Sequence, residues 1–302
     1  IESRNVMRIG YQGIPGSYSE SAALQYLKLN QIRLDDAELI GMDTFIESTN
    51  KLLAGEIDLA VMPIENSTTG LITRTLDLFR YQPMAASAEI YEYVQHTLWG
   101  VEGSRIEDIK EVYSHPEALS QTANFFEEYP HIQPVTYIDT AQSAKYIKEL
   151  RDPTKAALAS QRAGELYELI PLRKSIQAEK TNTTRFFIME KIDEKMEIGD
   201  FLRESKGAFP ERTRMMLYVE TAHTPGALAQ LLNTFNLFNC NLEGLDARPI
   251  KDKPFNYGFF IEVDLAEVSI DPTILWKTLA HSTEYIQLIG LFEPKQLLMN
   301  YL

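Results

Sequence analysis

The amino-acid sequence predicts an α/β protein in which a large N-terminal domain precedes a smaller C-terminal unit. Apolar runs of strand length alternate with helical patterns along the first two-thirds of the chain, and polar residues gather where those runs end. Strands separated by helices of about 10–15 residues indicate parallel α/β layers. After a charged connector, the last third has its own order of strands and helices, β-α-β-β-α-β. We therefore expect two units of different architecture.

The N-terminal domain can be followed element by element. The strand "VMRIGYQG" precedes the helix "SYSESAALQYLKL", and the buried strand "DLAVMPIEN" precedes the helix "LITRTLDLFRY". Further segments with strand and helix patterns follow. They are "EIYEYVQHTLWG", "EVYSHPEALSQTANFFEEY", "PVTYIDTAQSAKYIKEL" and "KAALASQRAGELYEL". The stretch "KTNTTRFF" is polar at its start and apolar at its end, which favours a strand that enters a polar site.

Polar clusters stand between several of these strands and the helices that follow them. They are "GIPGSYSE", "PIENSTTG", "YSHPEALSQ", "DTAQSA" and "LASQ". One such cluster alone is typical of a capped helix start, since Ser, Thr, Asn and Asp are the preferred caps. Because ligands of α/β sheets bind at the carboxyl ends of strands, several clusters at equivalent strand ends favour a shared cleft.

The connector and the C-terminal unit differ from each other in composition and in the pattern of their apolar residues. Residues 191–212 are charged and punctuated by Gly and Pro, which predicts a linker with a helical turn. Residues 213–292 contain the strand "RTRMMLYVET", the helix "TPGALAQLLNTFNLF", the strands "NLEGLDARPI" and "NYGFFIEVDL", the helix "DPTILWKTLA" and the strand "EYIQLIGLF". This order is that of the ferredoxin-like fold. Residues 293–302 are expected to form a tail.

The composition argues against several classes of function. With 302 residues and 44% apolar residues, the chain can bury a large core, yet no apolar run approaches the ~20 residues of a membrane span. A net charge of −14 argues against nucleic acid, whose phosphates require clustered Lys and Arg. The single Cys240 cannot form an internal disulfide, and the scattered positions of the histidines argue against a zinc site.

Five ordered motifs resemble the prephenate dehydratase family: "GSYSE", "PIENSTTG", "YSHPEALSQ", "LAS" and "NTTRFF". The segments "HTPGALAQLLNTF", "NCNLEGLDARPI" and "NYGFFIEVD" look like the ACT regulatory domain that follows the catalytic domain in that family. The resemblance implies a catalytic domain at 8–190, with two lobes similar to periplasmic solute-binding proteins, and an ACT domain at 213–292.

The reaction implied by the resemblance is the conversion of prephenate to phenylpyruvate, with loss of CO2 and water, in L-phenylalanine biosynthesis. Aromatisation supplies the thermodynamic drive, and hydrogen bonding to the departing hydroxyl lowers the barrier. This chemistry needs no metal, redox cofactor or covalent nucleophile, so we expect no cofactor. We also expect a cytoplasmic protein. Because the chain begins at Ile1, a trimmed targeting segment would instead point to the plastid stroma.

The resemblance assigns the family's key hydroxyl to Thr184. A threonine hydroxyl is far too weak an acid for neutral pH, so we interpret Thr184 as a positioned hydrogen-bond donor to the leaving hydroxyl. The family pattern also implies catalytic or polarising roles for Asn66, Ser114 and Gln121. His115 precedes a proline at a helix start, and we interpret it as a structural residue.

Six further residues are expected to bind the substrate. Arg185 has a guanidinium that suits a substrate carboxylate, although an ion pair with one of the many acids is the alternative. Phe186 would line the cleft or fill the core. Neutral donors at strand ends and helix starts complete the set, which are Ser17, Tyr18, Ser19 and Ser160. Such donors would let an acidic protein bind an anion locally.

The resemblance to ACT domains implies a regulatory site for L-phenylalanine and pairing with a second copy. The implied effector-binding positions are Gly226, Ala227, Leu228, Asn241 and Leu242. The usual Glu-Ser-Arg-Pro of the family is replaced by Asp246-Ala247-Arg248-Pro249, which shortens the acid and removes a hydroxyl. We expect a homodimer or homotetramer formed through this domain.

Two alternatives remain open at this point. Arogenate dehydratase acts on a substrate with an amino group in place of the keto group, and the motifs do not separate it from prephenate dehydratase. A non-catalytic small-molecule sensor is the other, since two-lobed α/β proteins bind solutes. Removal of residues 213–302 is expected to abolish inhibition by phenylalanine and to retain some activity, provided the truncated protein stays soluble.

Overall fold

The protein is seen in a computed structural model that describes residues 5–295. The strands in this part of the chain are β1 (Met7–Gln12), β2 (Ala37–Met42), β3 (Leu59–Asn66), β4 (Gly70–Leu71), β5 (Met84–Tyr93), β6 (Thr97–Gly100), β7 (Glu111–Ser114), β8 (Gln133–Thr136), β9 (Lys155–Ala159), β10 (Ile170–Arg173), β11 (Thr183–Lys191), β12 (Arg214–Glu220), β13 (Asn241–Pro249), β14 (Tyr257–Asp264) and β15 (Tyr285–Phe292). The α-helices are α1 (Tyr18–Leu29), α2 (Phe45–Leu53), α3 (Thr73–Phe79), α4 (Pro116–Gln121), α5 (Ala123–Glu128), α6 (Thr140–Leu150), α7 (Gln161–Leu166), α8 (Ile198–Ala208), α9 (Ala227–Leu237) and α10 (Pro272–His281). None of the helices in residues 5–295 combines the length and the apolar character needed to cross a bilayer.

The first lobe contains β1, β2, β3, β5 and β11 with helices α1, α2 and α3. β1 is parallel to β2 and β3, as predicted, but β11 runs antiparallel to both β3 and β5. The prediction of purely parallel layers is therefore wrong here. The physical reason is connectivity, because β11 enters this sheet directly from the second lobe and not through a crossover helix.

The second lobe is a five-stranded sheet in the order β10-β6-β9-β7-β8, with helices α4 to α7. The chain passes between the lobes twice, at residues 94–96 and 174–182. These two hinge segments are hydrogen-bonded to each other, since the Val94 N–H donates to the Asn182 carbonyl at 2.8 Å. The two-lobed organisation is thus confirmed, and the hinge lies where the lobes face each other.

The C-terminal unit has the predicted order β12-α9-β13-β14-α10-β15. Its sheet is continuous with that of the first lobe, because β15 lies beside β5 through the pair Gly290 and Ala86. The two units also share one hydrophobic cluster, in which Phe187 of β11 contacts Phe292 of β15 with ring centroids 5.0 Å apart. The C-terminal unit is therefore packed against the first lobe, and the predicted boundary at residue 213 does not separate two independent cores.

The connector predicted at 191–212 contains the complete helix α8. Leu202 is buried in the core of the C-terminal unit, and Ile198 and Phe201 pack against that core. The Thr273 hydroxyl of α10 donates to the Gly199 carbonyl at 3.0 Å, which fixes α8 against α10. The apolar spacing i, i+3, i+4 of a helix was present in this segment but was diluted by its many charged residues. Only residues 293–295 of the predicted tail lie within the described part of the chain.

Candidate functional site

A cavity of about 180 Å³ lies at the hinge between the two lobes. It combines the start of α1 and the end of β3 from the first lobe with α4 and the start of α6 from the second. The lining residues are Tyr18, Asn66, Val94, His96, His115, Glu117, Ala118, Gln121, Asp139, Thr140, Asn182 and Thr184. Polar side chains thus converge on one cleft from both lobes and from both hinge segments.

Thr184 lies directly opposite Asn66 in the β11–β3 ladder. The Asn66 Nδ2 donates to Thr184 Oγ1 at 3.1 Å and to Asn182 Oδ1 at 2.8 Å. The Asn66 Oδ1 accepts from the backbone N–H groups of Thr68 and Thr69, at 2.9 and 3.2 Å, which sets the orientation of the amide. Because Thr184 Oγ1 accepts a bond from Asn66, its own proton remains available to a ligand in the cleft.

The opposite wall holds a chain of hydrogen bonds that ends at His96. Gln121 Nε2 donates to Glu117 Oε1 at 3.3 Å, so Gln121 Oε1 accepts from His96 Nε2 at 2.7 Å. His96 is buried, and burial lowers the pKa of its imidazole. The ring is therefore neutral at pH 7, with its proton on Nε2. Its Nδ1 is a buried acceptor without a hydrogen-bond partner among residues 5–295.

The charges of the cleft are acidic. Among residues 5–295 its lining contains no Lys or Arg, whereas it contains Glu117 and Asp139. Asp139 caps α6, since its Oδ1 accepts from the Gln142 N–H at 2.6 Å. Burial raises the pKa of Asp139, and the bond from Gln142 opposes this rise. An anionic ligand must therefore be held here by neutral donors, and a ligand that carries an ammonium group would find partners.

The structure brings four of the predicted site residues into this cleft: Thr184, Asn66, Gln121 and Tyr18. The Tyr18 hydroxyl donates to the Gln95 carbonyl at 2.6 Å, which ties α1 to the hinge. His115 also lies at the cleft. Its Nδ1 accepts from the Glu117 N–H at 3.1 Å at the start of α4, in agreement with its interpretation as a structural residue.

The predicted serine donors lie outside the lining of the cleft. The Ser114 hydroxyl is buried and donates to the Leu158 carbonyl at 2.9 Å, which joins β7 to β9. Ser17 and Ser160 are the N-caps of α1 and α7, and Ser19 is buried on α1. The Ser160 hydroxyl also donates across the lobes to the Gly16 carbonyl at 3.1 Å. These side chains position the walls of the cleft and do not line it.

Arg185 and Phe186 also differ from the prediction, for a simple reason of strand geometry. Successive side chains of a strand point to opposite faces, so Arg185 lies on the face away from Thr184. Its guanidinium donates to Glu65, Glu89 and Glu262, which makes the ion-pair alternative the correct one. Phe186 shares the face of Thr184 but is only 2% exposed, and it fills the core beneath α1.

Several lining residues were missed by the sequence analysis, namely His96, Glu117, Asp139, Thr140 and Asn182. Asn182 carried a usable signal, because it stands two positions before Thr184 and alternation places the two on one face. Its Oδ1 accepts from Asn66, and its Nδ2 is buried without a partner among residues 5–295. His96 had no comparable signal, since it lies in a hinge segment that only the fold identifies.

The predicted effector residues fall on two separate surfaces. Gly226 is the N-cap of α9 with a φ of 80°, a left-handed conformation that favours glycine. Ala227 and Leu228 line a second cavity of about 260 Å³, together with His223 and other residues of this unit. In contrast, Asn241 and Leu242 are exposed on the edge strand β13 and do not line that cavity. A single effector site formed by all five residues stays a prediction.

Comparison with known proteins finds prephenate and arogenate dehydratases among the similar proteins. A family model described as prephenate dehydratase matches residues 9–194. Arogenate dehydratase/prephenate dehydratase 1, chloroplastic, of Arabidopsis thaliana is 32% identical over 297 residues, which cover 94% of this chain and 70% of that protein. A solved structure of the prephenate dehydratase from Staphylococcus aureus subsp. aureus Mu50 has a TM-score of 0.75 at 28% identity and covers 95% of this chain and 100% of its own. A prephenate dehydratase of Arthrobacter aurescens in complex with L-Phe has a TM-score of 0.78 at 23% identity, covering 95% of this chain and 90% of its own, which shows a common fold.

Proposed function

The chain belongs to the prephenate dehydratase family, and from this premise we propose that it converts prephenate to phenylpyruvate as a carbon–oxygen lyase. The observation that carries the proposal is the Asn66–Thr184 contact at the wall of the interlobe cleft, where Nδ2 and Oγ1 are 3.1 Å apart. A hydroxyl that accepts from a fixed amide and keeps its own proton free is a positioned donor. That is the group which loss of a ring hydroxyl requires.

The proposed reaction is an elimination in which two bonds break on the substrate ring. The bond to the ring carboxylate breaks and CO2 leaves, its electron pair enters the ring, and the C–O bond to the hydroxyl breaks at the far side. The departing oxygen takes up one proton, supplied from solvent, and leaves as water. Thr184 donates a hydrogen bond to this oxygen while negative charge develops on it, which stabilises the transition state more than the ground state.

The remaining polar residues of the cleft bind and orient the substrate in this proposal. Gln121 and His96 are fixed to each other, so their positions are set before the substrate arrives. Asn182 has an unpartnered Nδ2 within the described residues and offers a neutral donor for a substrate oxygen. Preorganised neutral donors can hold an anion in an acidic cleft because their dipoles are already oriented.

The test of this function is an assay of the purified full chain with prephenate and, separately, with arogenate. Formation of phenylpyruvate from prephenate without an added metal or cofactor is the expected result. Binding of prephenate without any turnover, together with no turnover of arogenate, would identify a sensor and would reject the dehydratase.

Arogenate is a second candidate substrate, and the charges of the cleft favour it. Arogenate carries an ammonium where prephenate carries a keto oxygen. Within the described part of the chain, the lining offers Glu117, Asp139 and the unpartnered acceptor His96 Nδ1, and it contains no Lys or Arg. A keto oxygen gains nothing from carboxylates and acceptors, whereas an ammonium does.

The substitution Glu117→Gln tests which substrate the acidic wall serves. Glu117 is solvent-exposed, so its charge is partly screened and the effect will be moderate. If arogenate is used, we expect kcat/KM for arogenate to fall about 3- to 10-fold relative to kcat/KM for prephenate. Glu127→Gln, an exposed residue of α5 outside the cleft, is the matched control. An unchanged ratio of the two kcat/KM values would show that Glu117 does not select the substrate.

Regulation by L-phenylalanine is proposed for the cavity at the start of α9. The support is the resemblance of the segment around Gly226 to ACT domains and the complex of the Arthrobacter aurescens relative with L-Phe. Ala227→Glu introduces bulk and negative charge into this cavity, whereas Ala229→Glu alters an exposed position on the same helix. We expect the inhibition constant of phenylalanine to rise at least about tenfold in A227E and to change little in A229E. Inhibition that is equally strong in both variants would move the effector site elsewhere.

Oligomerisation through the C-terminal unit is part of the same proposal. The edge strand β13 exposes Leu242 and Leu245, which offers an apolar surface to a second copy. Sedimentation analysis is expected to show a homodimer or a homotetramer.

A further inference from the structure

A buried cluster of charges connects the strand that carries Thr184 to the C-terminal unit. The Arg185 Nη2 atom lies 2.7 Å from Glu262 Oε1 on β14 and 3.4 Å from Glu89 Oε2 on β5. Its Nη1 atom lies 3.3 Å from Glu65 Oε2 on β3. One guanidinium therefore joins three strands to β11, and the shortest of its contacts is made to the C-terminal unit.

Three members of the cluster are shielded from water, whereas the fourth, Glu65, is 41% exposed. The side chains of Arg185, Glu89 and Glu262 are 8%, 1% and 9% exposed, respectively. The rings of Phe187 and Phe292 lie against the guanidinium, with centroids 5.2 and 5.7 Å from its central carbon. Charges in such an environment interact strongly and are costly to leave unpaired, so the arrangement resists displacement of any member.

The position of this cluster matters because the ladder is irregular next to Thr184. The register between β11 and β3 shifts between Arg185 and Phe186, directly after the pairs of Thr184 with Asn66 and Arg185 with Glu65. A bulge disrupts this ladder locally, so backbone hydrogen bonds fix β11 less firmly against β3 here, whereas on its other side β11 stays in register with β5 from Thr183 to Ile188. The ion pairs of Arg185 with Glu65, Glu89 and Glu262 supply a further constraint beside this bulge, one residue away from the hydroxyl that must be placed against Asn66 on β3.

We propose that Glu262 of the C-terminal unit is a positioning residue for the reaction and acts on Thr184 through Arg185. This rests on the proposed role of Thr184. Glu262 holds the guanidinium, the guanidinium holds β11 at the bulge, and the Thr184 hydroxyl thereby stays within 3.1 Å of Asn66. The C-terminal unit thus completes the support of the catalytic strand, in addition to any regulatory site that it carries.

The same cluster extends toward the outer edge of the C-terminal sheet. Glu262 Oε2 accepts from Arg214 Nη1 at 3.0 Å, and Arg214 Nη2 lies 3.8 Å from Glu243 Oε1 on β13. A displacement of Glu243 on β13 would therefore be transmitted to Arg185 through Arg214 and Glu262.

The test compares Glu262→Gln with Asp77→Asn in the full-length protein. Asp77 of α3 forms a bidentate ion pair with Arg248 of β13, at 2.7 and 3.1 Å, so D77N removes a carboxylate between the same two units without touching β11. We expect kcat to fall at least about tenfold in E262Q with KM within about twofold, because a small misplacement of a catalytic group costs rate. In D77N we expect kcat within about twofold of the parent protein.

Equal kcat values for E262Q and D77N, in a protein in which Thr184→Ala abolishes most activity, would overturn the proposal. If Thr184→Ala itself retains activity, the proposed role of Thr184 is rejected, and with it the proposal that Glu262 acts on Thr184. Should E262Q not fold, Arg185→Lys takes its place, since it keeps a positive charge beside Glu89 but loses the planar fork. A folded R185K with a lowered kcat and unchanged KM supports positioning through Arg185, and an unchanged kcat rejects it.

Discussion

Thr184→Ala is expected to reduce the rate of phenylpyruvate formation at least ~10²-fold, since removal of one donor to a developing oxyanion typically costs ~10²–10³ in rate. The variant should still fold, because Thr184 lies at the N-terminal end of β11 and its side chain lines the cleft. We expect the melting temperature and the dissociation constant for prephenate to change little. A sensor would lose no function in this variant, so the result also separates an enzyme from a binding protein.

Thr183→Ala is the matched control for this prediction. The Thr183 hydroxyl donates to the Thr181 carbonyl at 3.1 Å and is not part of the cleft lining. Production of phenylpyruvate should stay close to that of the parent protein. Equal activity in T184A and T183A would remove Thr184 from the chemistry.

Arg185→Met is expected to lower the free energy of unfolding by about 3–5 kcal/mol, because it leaves Glu89 buried without its cationic partner. The effect should depend on pH. Burial raises the pKa of Glu89, and Arg185 opposes that rise. Without Arg185 the pKa in the folded protein lies further above that of the unfolded chain, about 4.3. The penalty should therefore be small below about pH 4 and should grow as the pH rises toward 7.

Chemical unfolding of Arg185→Met at several pH values, monitored by circular dichroism, measures this prediction. Arg203→Met serves as the control, since Arg203 pairs with Asp200 on the surface, where the two side chains are 55% and 49% exposed. Exposed pairs contribute at most about 1 kcal/mol. A loss of stability in R185M no larger than that in R203M, at all pH values, would show that the buried cluster contributes little to the fold.

The elements that the sequence predicted well are those with strong local patterns. The strand β3, the helix α1 and all six elements of the C-terminal unit were identified in order, since their apolar periods and caps are local properties of the chain. The length of helix α8 was underestimated, as a single helical turn, because charged residues interrupt its apolar face. The antiparallel entry of β11 was missed because strand direction depends on a connection between lobes that no local pattern encodes.

The candidate site shows the same contrast between residues that local motifs predict and residues that only the tertiary structure places. Thr184 and Asn66, which were predicted from motifs, line the cleft. The predicted serine residues at helix starts do not, because a capping serine and a ligand-binding serine look alike in sequence. Ser160 illustrates this point, since its hydroxyl accepts from the Ala163 N–H at 3.0 Å and donates to Gly16 across the lobes. Only the packing of the lobes distinguishes the two roles.

The sequence by itself determined the types of the main elements and indicated the family and the candidate hydroxyl of Thr184, because these depend on local patterns and short motifs. The tertiary structure alone decided what Arg185 does. Alternation along β11 turns its guanidinium away from the cleft, and Glu262, which is 77 residues distant, becomes its closest partner. Contacts of that range follow from how the sheets join, and so the link between the strand that carries Thr184 and the C-terminal unit became visible only in the folded protein.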